Sequence, residues 1–497
     1  MTFYIGIDSS TTATKALLMD ADGSLVGVGR SEYGFATPQP LWSEQAPELW
    51  WNATVAAIRE ILEATGIEGA QIRGVGLTGQ MHGLVMLDAD DIVLRPAILW
   101  NDQRTQVECD EIRKIVGRKH LIATTGNDAL TGFTAPKILW VRNHEPEVFE
   151  RTAHILLPKD YVRLRLTGVH ASDRAGGSGT ILFDLATRDW SSDITTTLGI
   201  PRDWLPATYE GTEVTGVVTA DAAAATGLVE GTPVFGGGGD QAANGVGVGA
   251  VAPGVAAMSI GTSGVVFASA SKPLVEPEGR LHAFCHAVPG MWHLMGVMLS
   301  AAGSLKWFRD TLAPERAYSD LDAVASTVRA GSNGLLFAPY LSGERTPHPD
   351  PMARGSFVGL TVRHEFRHLA RAVMEGVAFG LRDSVELIRT MTPLEEIRAS
   401  GGGSASALWL QIIADVIGAP VRVANTPEGA AYGAAVLAAT GDGAFASVDE
   451  ACGAAVRLGR PIDPGENVAV YQNAYRSYRD LYPALQPLFG RLTDLDG

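Results

Sequence analysis

Apolar and polar positions along the chain fall into two kinds of run. Phe3-Tyr-Ile-Gly-Ile-Asp8 is a short apolar stretch that reads as a buried strand, Ser9 to Thr14 is a polar turn, and Lys15 to Met19 reads as a second strand. Asp20-Ala-Asp-Gly23 supplies a hairpin turn before Ser24 to Val28 returns. The same succession recurs past the middle: Val255 to Ile260, the turn Gly261-Thr-Ser-Gly264, then Val265 to Ala268. Two such units, one opening each half, predict an internal duplication. Helical periodicity runs over Pro47–Ala64, Leu369–Arg389 and Ala405–Ile417. Strands mixed with helices of this length predict an α/β protein. Between the halves, Asn244–Pro253 crowds Gly245, Gly247, Gly249 and Pro253 together with Val246, Val248 and Val251. The valines favour packed structure beside a cleft over a flexible linker.

With 497 residues the chain can hold two to four domains at roughly 100–200 residues each. Thirty-nine Lys and Arg against 55 Asp and Glu give a net charge of −16, which disfavours bulk binding of nucleic acid or anionic membrane. Cys109, Cys285 and Cys452 are far apart and form neither a disulfide framework nor a Cys-x-x-Cys pair, as a reducing compartment allows. No basic leader precedes Asp8, and the longest charge-free stretch, Gln241–Ser271, is broken by Pro253 and several glycines. A soluble, cytoplasmic protein is expected. Glycine is the informative excess: 57 residues, about 11% against a typical ~7%.

The glycines cluster where apolar runs end, which suits loops that approach a phosphate with bare backbone N–H groups. Three segments have that form: Asp8 with Ser9-Ser10-Thr11-Thr12, Gly261-Thr262-Ser263-Gly264, and Gly401-Gly402-Gly403-Ser404 ahead of a helix. Each alone is a weak signal; all three at strand ends in one chain are stronger. Asp240 closes Val234-Phe-Gly-Gly-Gly-Gly-Asp240, where four glycines demand a close backbone approach, and it suits a base or a Mg²⁺ anchor. The alternative is an Asp that caps the turn Gln241–Asn244. Gln80, His82, Asn101, Asp102 and Arg104 resemble the hydrogen-bonding set of a polyol site, with Met81 or Trp100 as its apolar face. A half-buried, satisfied His82 is the plainer reading.

Gly74-x-Gly76-x-x-Gly79 has dinucleotide-loop spacing, but Leu84 to Leu87 and not a helix follows it. His282, Cys285, His286 and His293 sit among Phe284, Val288 and Trp292 and read as core strands instead of a metal cluster. Neither a P-loop lysine motif nor a Gly-x-Ser-x-Gly elbow occurs.

Longer segments carry a resemblance. Gly355-Ser-Phe-Val-Gly-Leu360, followed after seven residues by His368-Leu-Ala-Arg-Ala-Val-Met-Glu375, resembles the C-terminal signature of the FGGY carbohydrate kinases of the actin/hexokinase/Hsp70 superfamily. Leu41–Gln45, Gly79–Gly83, Ala97–Asp102, Gly132–Lys137, Leu156–Tyr161 and Tyr340–His348 extend it over nearly the whole chain. The resemblance implies two actin-like, ribonuclease H-like α/β domains, 1–245 and 246–497, with a central cleft and with the last helical segment packing back on the first domain. It implies ATP-dependent phosphorylation of D-xylulose at its 5-hydroxyl. Ribulose or a pentitol is the alternative acceptor, and a nucleotide-binding regulatory module without sugar chemistry is the alternative class. Asp240 is implied as the base and Asp8 as the carboxylate near Mg²⁺, both as metal ligands. Met81 and His82, with Gln80, Asn101, Asp240 and Gln241, are implied at the sugar. Thr11, Thr12 and Lys15 belong to the first phosphate loop, Gly261 and Thr262 to the second with Gly303, and Gly402, Gly403 and Ser404 to the adenosine side. The expected partners are a small sugar and ATP, without nucleic acid or membrane, and with a homodimer as an option. Two positions depart from the family: Ser10 stands where glycine is usual, and Gln241 where Asn is.

Overall fold

The computed structural model describes residues 1–424 and 428–495; residues 425–427 and 496–497 of the expected second domain lie outside the described residues. Two six-stranded sheets organise the chain. The first holds β1 (Phe3–Ser9), β2 (Ala13–Asp20), β3 (Leu25–Glu32), β4 (Ile72–Gly79), β5 (Val214–Val217) and β6 (Pro233–Gly239), in the order β5-β6-β4-β1-β2-β3. The strands β1, β2 and β3 form an antiparallel meander, and β4 and β6 continue the sheet in parallel beyond β1. The second sheet holds β7 (Gly254–Ile260), β8 (Gly264–Ala270), β9 (His282–Cys285), β10 (Trp292–Met298), β11 (Leu394–Ser400) and β12 (Val421–Val423), in the order β9-β10-β8-β7-β11-β12. Here too β7, β8 and β10 are antiparallel while β11 and β12 are parallel to β7. The repeated scheme is the duplication that the two polar-turn hairpins predict. The Gly74–Gly79 glycines fall inside β4, and His282 and His293 inside β9 and β10, as core strands.

The uninterrupted apolar run of β1 reflects burial on both faces. Helix α1 (Glu48–Thr65) covers one face with Trp50, Ala57, Ile58 and Ile61. Among the further helices, those that cover the two sheets and their ends include α2 (Asp240–Gly247), α3 (Ala302–Leu312), α4 (Phe366–Arg389), α5 (Ala407–Ile417), α6 (Gly429–Gly441), α7 (Val448–Ala455), α8 (Val468–Arg479) and α9 (Leu481–Leu495). The opposite face of the first sheet is covered by α2 and, from the far half of the sequence, α6. A Cβ at Gly6 would stand 1.8 Å from the Ala431 carbonyl oxygen, and one at Gly76 2.0 Å from that of Ala434, so α6 lies directly on bare backbone.

This placement corrects one expectation. The helix that returns to the first sheet is α6, with α7 behind it, where the Cys452 Sγ reaches the Val246 carbonyl. The last helices stay with the second half: α8 packs on α4 and α5, and α9 on α8. The cause is shape. The small residues of α6 fit a glycine-lined sheet, whereas Tyr471, Tyr475 and Tyr478 of α8 need the broad apolar surface around Phe379 of α4. Helix ends shift slightly too. Glu365 N–H donates to His368 Nδ1 (3.0 Å) and starts α4 at Phe366, and the Ser406 side chain caps α5 by accepting from Trp409 N–H (3.0 Å). The segment 244–253 is packed, with Val246 and Val248 fully buried. No helix among the described residues is long and apolar enough to cross a membrane.

Candidate active site

The carboxyl ends of the parallel strands of the first sheet converge: Asp8 is the penultimate residue of β1, Gln80-Met81-His82 follow β4, and Asp240 follows β6. The Gly236–Gly239 run has a backbone reason. Gly237 has φ +66°, and a Cβ there would stand 1.7 Å from the Leu77 carbonyl oxygen; a Cβ at Gly236 would meet the Glu210 carbonyl oxygen at 2.2 Å. Only glycine lets β6 pass between these carbonyls and deliver Asp240 to the first turn of α2. Asp240 Oδ1 accepts from the adjacent Gln241 N–H (2.7 Å), but the cap position of α2 is Gly239 and no side chain caps it, so Asp240 is not the capping residue; its carboxylate faces a cavity.

That cavity, about 290 Å³, lies between the halves. From the first half it is lined by Gln80, Met81, His82, Trp100, Phe133, Asp240 and Gln241, and from the second by Ser263, His282, Phe284, Val297 and Arg345. Apolar rings and a few convergent polar groups make a setting for a small polyol. His82 has φ +68°, and its carbonyl accepts from Lys137 Nζ (2.9 Å) and Thr134 Oγ1 (3.0 Å). Its Nδ1 lies 2.6 Å from the Gly179 carbonyl oxygen. A carbonyl only accepts, so Nδ1 carries the proton and Nε2 presents a lone pair. Burial pushes this imidazole down to about 3, so it is neutral at physiological pH.

The two carboxylates are perturbed in the opposite sense. Burial, then repulsion from Asp240, raises Asp8 to about 7 despite Lys15, and burial raises Asp240 to about 6. Asp8 Oδ1 is buried with no hydrogen-bond partner among the described residues. An orphaned carboxylate oxygen near a second carboxylate is the donor chemistry that a hard divalent cation takes, so Asp8 and Asp240 fit Mg²⁺.

The residues expected at phosphates occupy two further places. Around the β1–β2 turn, Thr11 Oγ1 accepts from Trp100 Nε1 (2.9 Å), Thr12 is exposed, and Lys15 is ion-paired with Glu428 ahead of α6. Ser10 lacks a positive φ; its hydroxyl donates to the Ala13 carbonyl (2.7 Å) and closes the turn locally. At the end of β7, the carbonyl of Thr262 accepts from Gly303 N–H (3.1 Å), and Gly403 packs on Ile260. The loop Gly261-Thr262, Gly303 and Gly402-Gly403-Ser404 thus meet where β7 and β11 end. Gly402 faces open space, where a Cβ would meet nothing within 4 Å, and Ser404 Oγ donates to the Gly401 carbonyl (2.6 Å).

Asn101 is outside the cavity lining, which includes its neighbour Trp100. The chain turns away after Trp100 because Asp102 accepts from Ser43 N–H (2.7 Å) and pairs with Arg104 (2.7 Å). Arg104 in turn pairs with Glu44 and sits 3.6 Å from the Trp42 ring centroid, so Asp102 and Arg104 belong to a buried structural network and not to the polyol set. Sequence reasoning missed Phe133, His282, Phe284 and Arg345. The guanidinium of Arg345 borders the cavity without a hydrogen bond or ion pair among the described residues. Its neighbour Glu344 is pushed up to about 8 by burial, so it is neutral at pH 7. The signal was present in Tyr340–His348, a segment used for the resemblance and given no role.

Models of the N-terminal and C-terminal domains of the FGGY family of carbohydrate kinases match residues 3–247 and 256–441. A xylulose kinase of Escherichia coli (strain K12) is 42% identical over 488 residues, 98% of this chain and 99% of that protein. One of Bacillus subtilis (strain 168) is 39% identical over 97% of both. The solved structure of a xylulose kinase from Rhodospirillum rubrum superposes with a TM-score of 0.92 at 34% identity, covering 98% of this chain and 99% of that one.

Proposed function

The chain belongs to the FGGY family of carbohydrate kinases, and from that premise we propose that it transfers the γ-phosphoryl group of ATP to the 5-hydroxyl of D-xylulose. The observation that carries the reading is the convergence of Asp240, Gln80 and His82 on one small cavity shared by both halves, joined to full-length similarity to xylulose kinases.

In this reading the sugar lies in the cavity with Trp100 and Phe133 against its carbon face. His82 Nε2 accepts from a sugar hydroxyl, and Arg345 donates to sugar oxygens. Asp240 takes the 5-hydroxyl proton as that oxygen bonds to the γ-phosphorus; the bond from phosphorus to the β–γ bridging oxygen breaks, ADP leaves, and the proton passes from Asp240 to solvent. Asp8 and Asp240 would hold Mg²⁺, which would supply charge neutralisation at the phosphates. Backbone N–H groups of the Thr11 and Thr262 loops hold the phosphates, and Gly402-Gly403-Ser404 borders the adenosine. Residues 1–245 and 246–497 act as the two halves that enclose the reactants and exclude water.

An ADP-release assay across D-xylulose, D-ribulose, ribitol and xylitol tests the assignment. The expected result is the highest kcat/KM with D-xylulose. A tenfold preference for another acceptor reassigns the sugar within the family, and no turnover with any of them defeats the proposal.

A further inference from the structure

Away from the cavity, a second cluster of ligating side chains stands on the first half. Asp91, His154 and His170 come from three separate segments, and one ligating atom of each lies within 4.8 Å of the others. We propose that they form a binding site for a borderline divalent transition metal ion, of which Zn²⁺ is the representative.

Local structure fixes the three relative to one another. Asp91 sits in a tight turn whose N–H groups at Asp90 and Ile92 both donate to Asp88 Oδ1 (3.0 Å each). The strand ahead of that turn, Val85–Leu87, pairs with His154–Leu156 so that Leu87 stands opposite His154. His170 leads into the short strand Ala171–Asp173, and its ring stacks on that of His154 at 3.9 Å between centroids and 23° between planes. His170 Nε2 meets Asp91 Oδ1 at 2.6 Å, whereas the ring nitrogens of His154 have no hydrogen-bond partner among the described residues.

Zinc bonds of about 2.0–2.2 Å to nitrogen and oxygen put tetrahedral ligand atoms roughly 3.4 Å apart, so the pairs with His154 need to close by at most about 1.4 Å while the 2.6 Å pair of His170 and Asp91 opens by about 0.8 Å. His170 and Asp91 are partly exposed, so that movement breaks no core packing, and an ion reaches them from solvent. Two imidazoles and one carboxylate favour Zn²⁺, Co²⁺ or Ni²⁺ over Mg²⁺, which prefers an all-oxygen shell. The fourth position is left to water. Bound metal would add to the ties that already join the 88–92 turn to the starts of both short strands: the His170–Asp91 contact, the His154–His170 ring stack and the Arg151–Asp88 ion pair.

The test uses the full-length protein, stripped with a chelator and held in excess Mg²⁺ so that the carboxylates at Asp8 and Asp240 do not compete. Calorimetric titration with Zn²⁺ and the visible spectrum on adding Co²⁺ are the readouts. One equivalent is expected to bind, with a visible band of low-coordinate cobalt. Loss of an outer hydrogen-bond partner alone costs roughly 10–100-fold in metal affinity, so His154→Ala, His170→Ala and Asp91→Asn should each weaken binding at least about tenfold. Their kinase turnover in Mg²⁺ should match the unmodified chain, which also reports that they fold; Asp91→Asn, on an exposed turn, serves if a histidine variant does not. Unchanged stoichiometric binding in these variants, or no binding of Zn²⁺ and no cobalt band in the unmodified chain, overturns the proposal.

Discussion

Replacing Asp240 with Asn should disable the enzyme and stabilise it at the same time. The carboxyl sits at about 6 against an ordinary 3.8, because burial disfavours its charged form. The folded state therefore holds this proton more tightly than the unfolded chain does. Stability contributed by the group is greatest below about pH 4, declines as pH rises toward 6, and stays reduced above it. With 1.36 kcal/mol per unit, the full difference is ~3 kcal/mol at pH 7.5 and ~1 kcal/mol at pH 4.5. Asp240 borders an open cavity, and solvent screening brings the first figure to about 1–3 kcal/mol. Asn keeps the shape, and its side-chain oxygen still accepts from Gln241 N–H, so the change removes the charge and little else. An unfolding entropy of ~2.1 cal/mol/K per residue over 497 residues is ~1 kcal/mol/K, so the expected gain in Tm at pH 7.5 is ~1–3 °C. Calorimetric scans at pH 4.5 and 7.5, beside turnover and ATP titration, measure every part of this. Turnover should fall about 10²–10⁴-fold with ATP affinity retained. Turnover within a few-fold of the unmodified enzyme, or a variant less stable at pH 7.5, would refute the reasoning.

In the Mg²⁺-free protein Asp8 and Asp240 should titrate together with apparent values of about 6 to 7, read by carboxyl NMR or by potentiometric difference against Asp240→Asn, and added Mg²⁺ should lower both; ordinary carboxylate values without metal contradict it. Arg345→Ala should raise the sugar KM by roughly 10–100-fold, the worth of a charged hydrogen bond, while leaving the ATP KM within about twofold; equal effects on both substrates would move Arg345 out of the sugar site. Gly237→Ala forces a Cβ onto the Leu77 carbonyl at φ +66° and should cost about 2–5 kcal/mol in urea unfolding, with a neutral result excluding this packing. Ser10→Gly should lose about 0.5–1.5 kcal/mol with ATP affinity unchanged, since the hydroxyl is committed to Ala13; weakened ATP binding would instead make it a phosphate donor.

The two polar-turn hairpins were legible in sequence because hairpin turns and short apolar runs bounded by them are local properties. The four glycines before Asp240 announced a close backbone approach for the same reason, although not which carbonyls were approached. What escaped was non-local. Asn101, Asp102 and Arg104 looked like sugar ligands by type, and only the fold shows that Ser43, Glu44 and Trp42 claim Asp102 and Arg104. Phe284 and His282 read as ordinary core strands, and so they are, but their strand abuts a cavity that both halves line. Arg345 lies within a recognisable segment, yet its role depends on Glu344 being neutral beside it, which burial decides and composition does not.

The packing of α6 on bare glycine backbone also sets a timetable for biosynthesis. Residues 3 to 239 contain every strand of the first sheet, but the helix that covers half of one face begins at Gly429, 190 residues after Gly239. At about 5–20 residues per second a ribosome needs roughly 10–40 s to make that stretch. Throughout it Tyr4, Leu17, Met19 and Phe235 lack the apolar partners Ala431, Ala435 and Leu437 that α6 brings to them. The nascent chain thus carries an uncovered sheet face for tens of seconds, a substrate for holdase chaperones, and a fragment ending near residue 245 would keep that face exposed permanently.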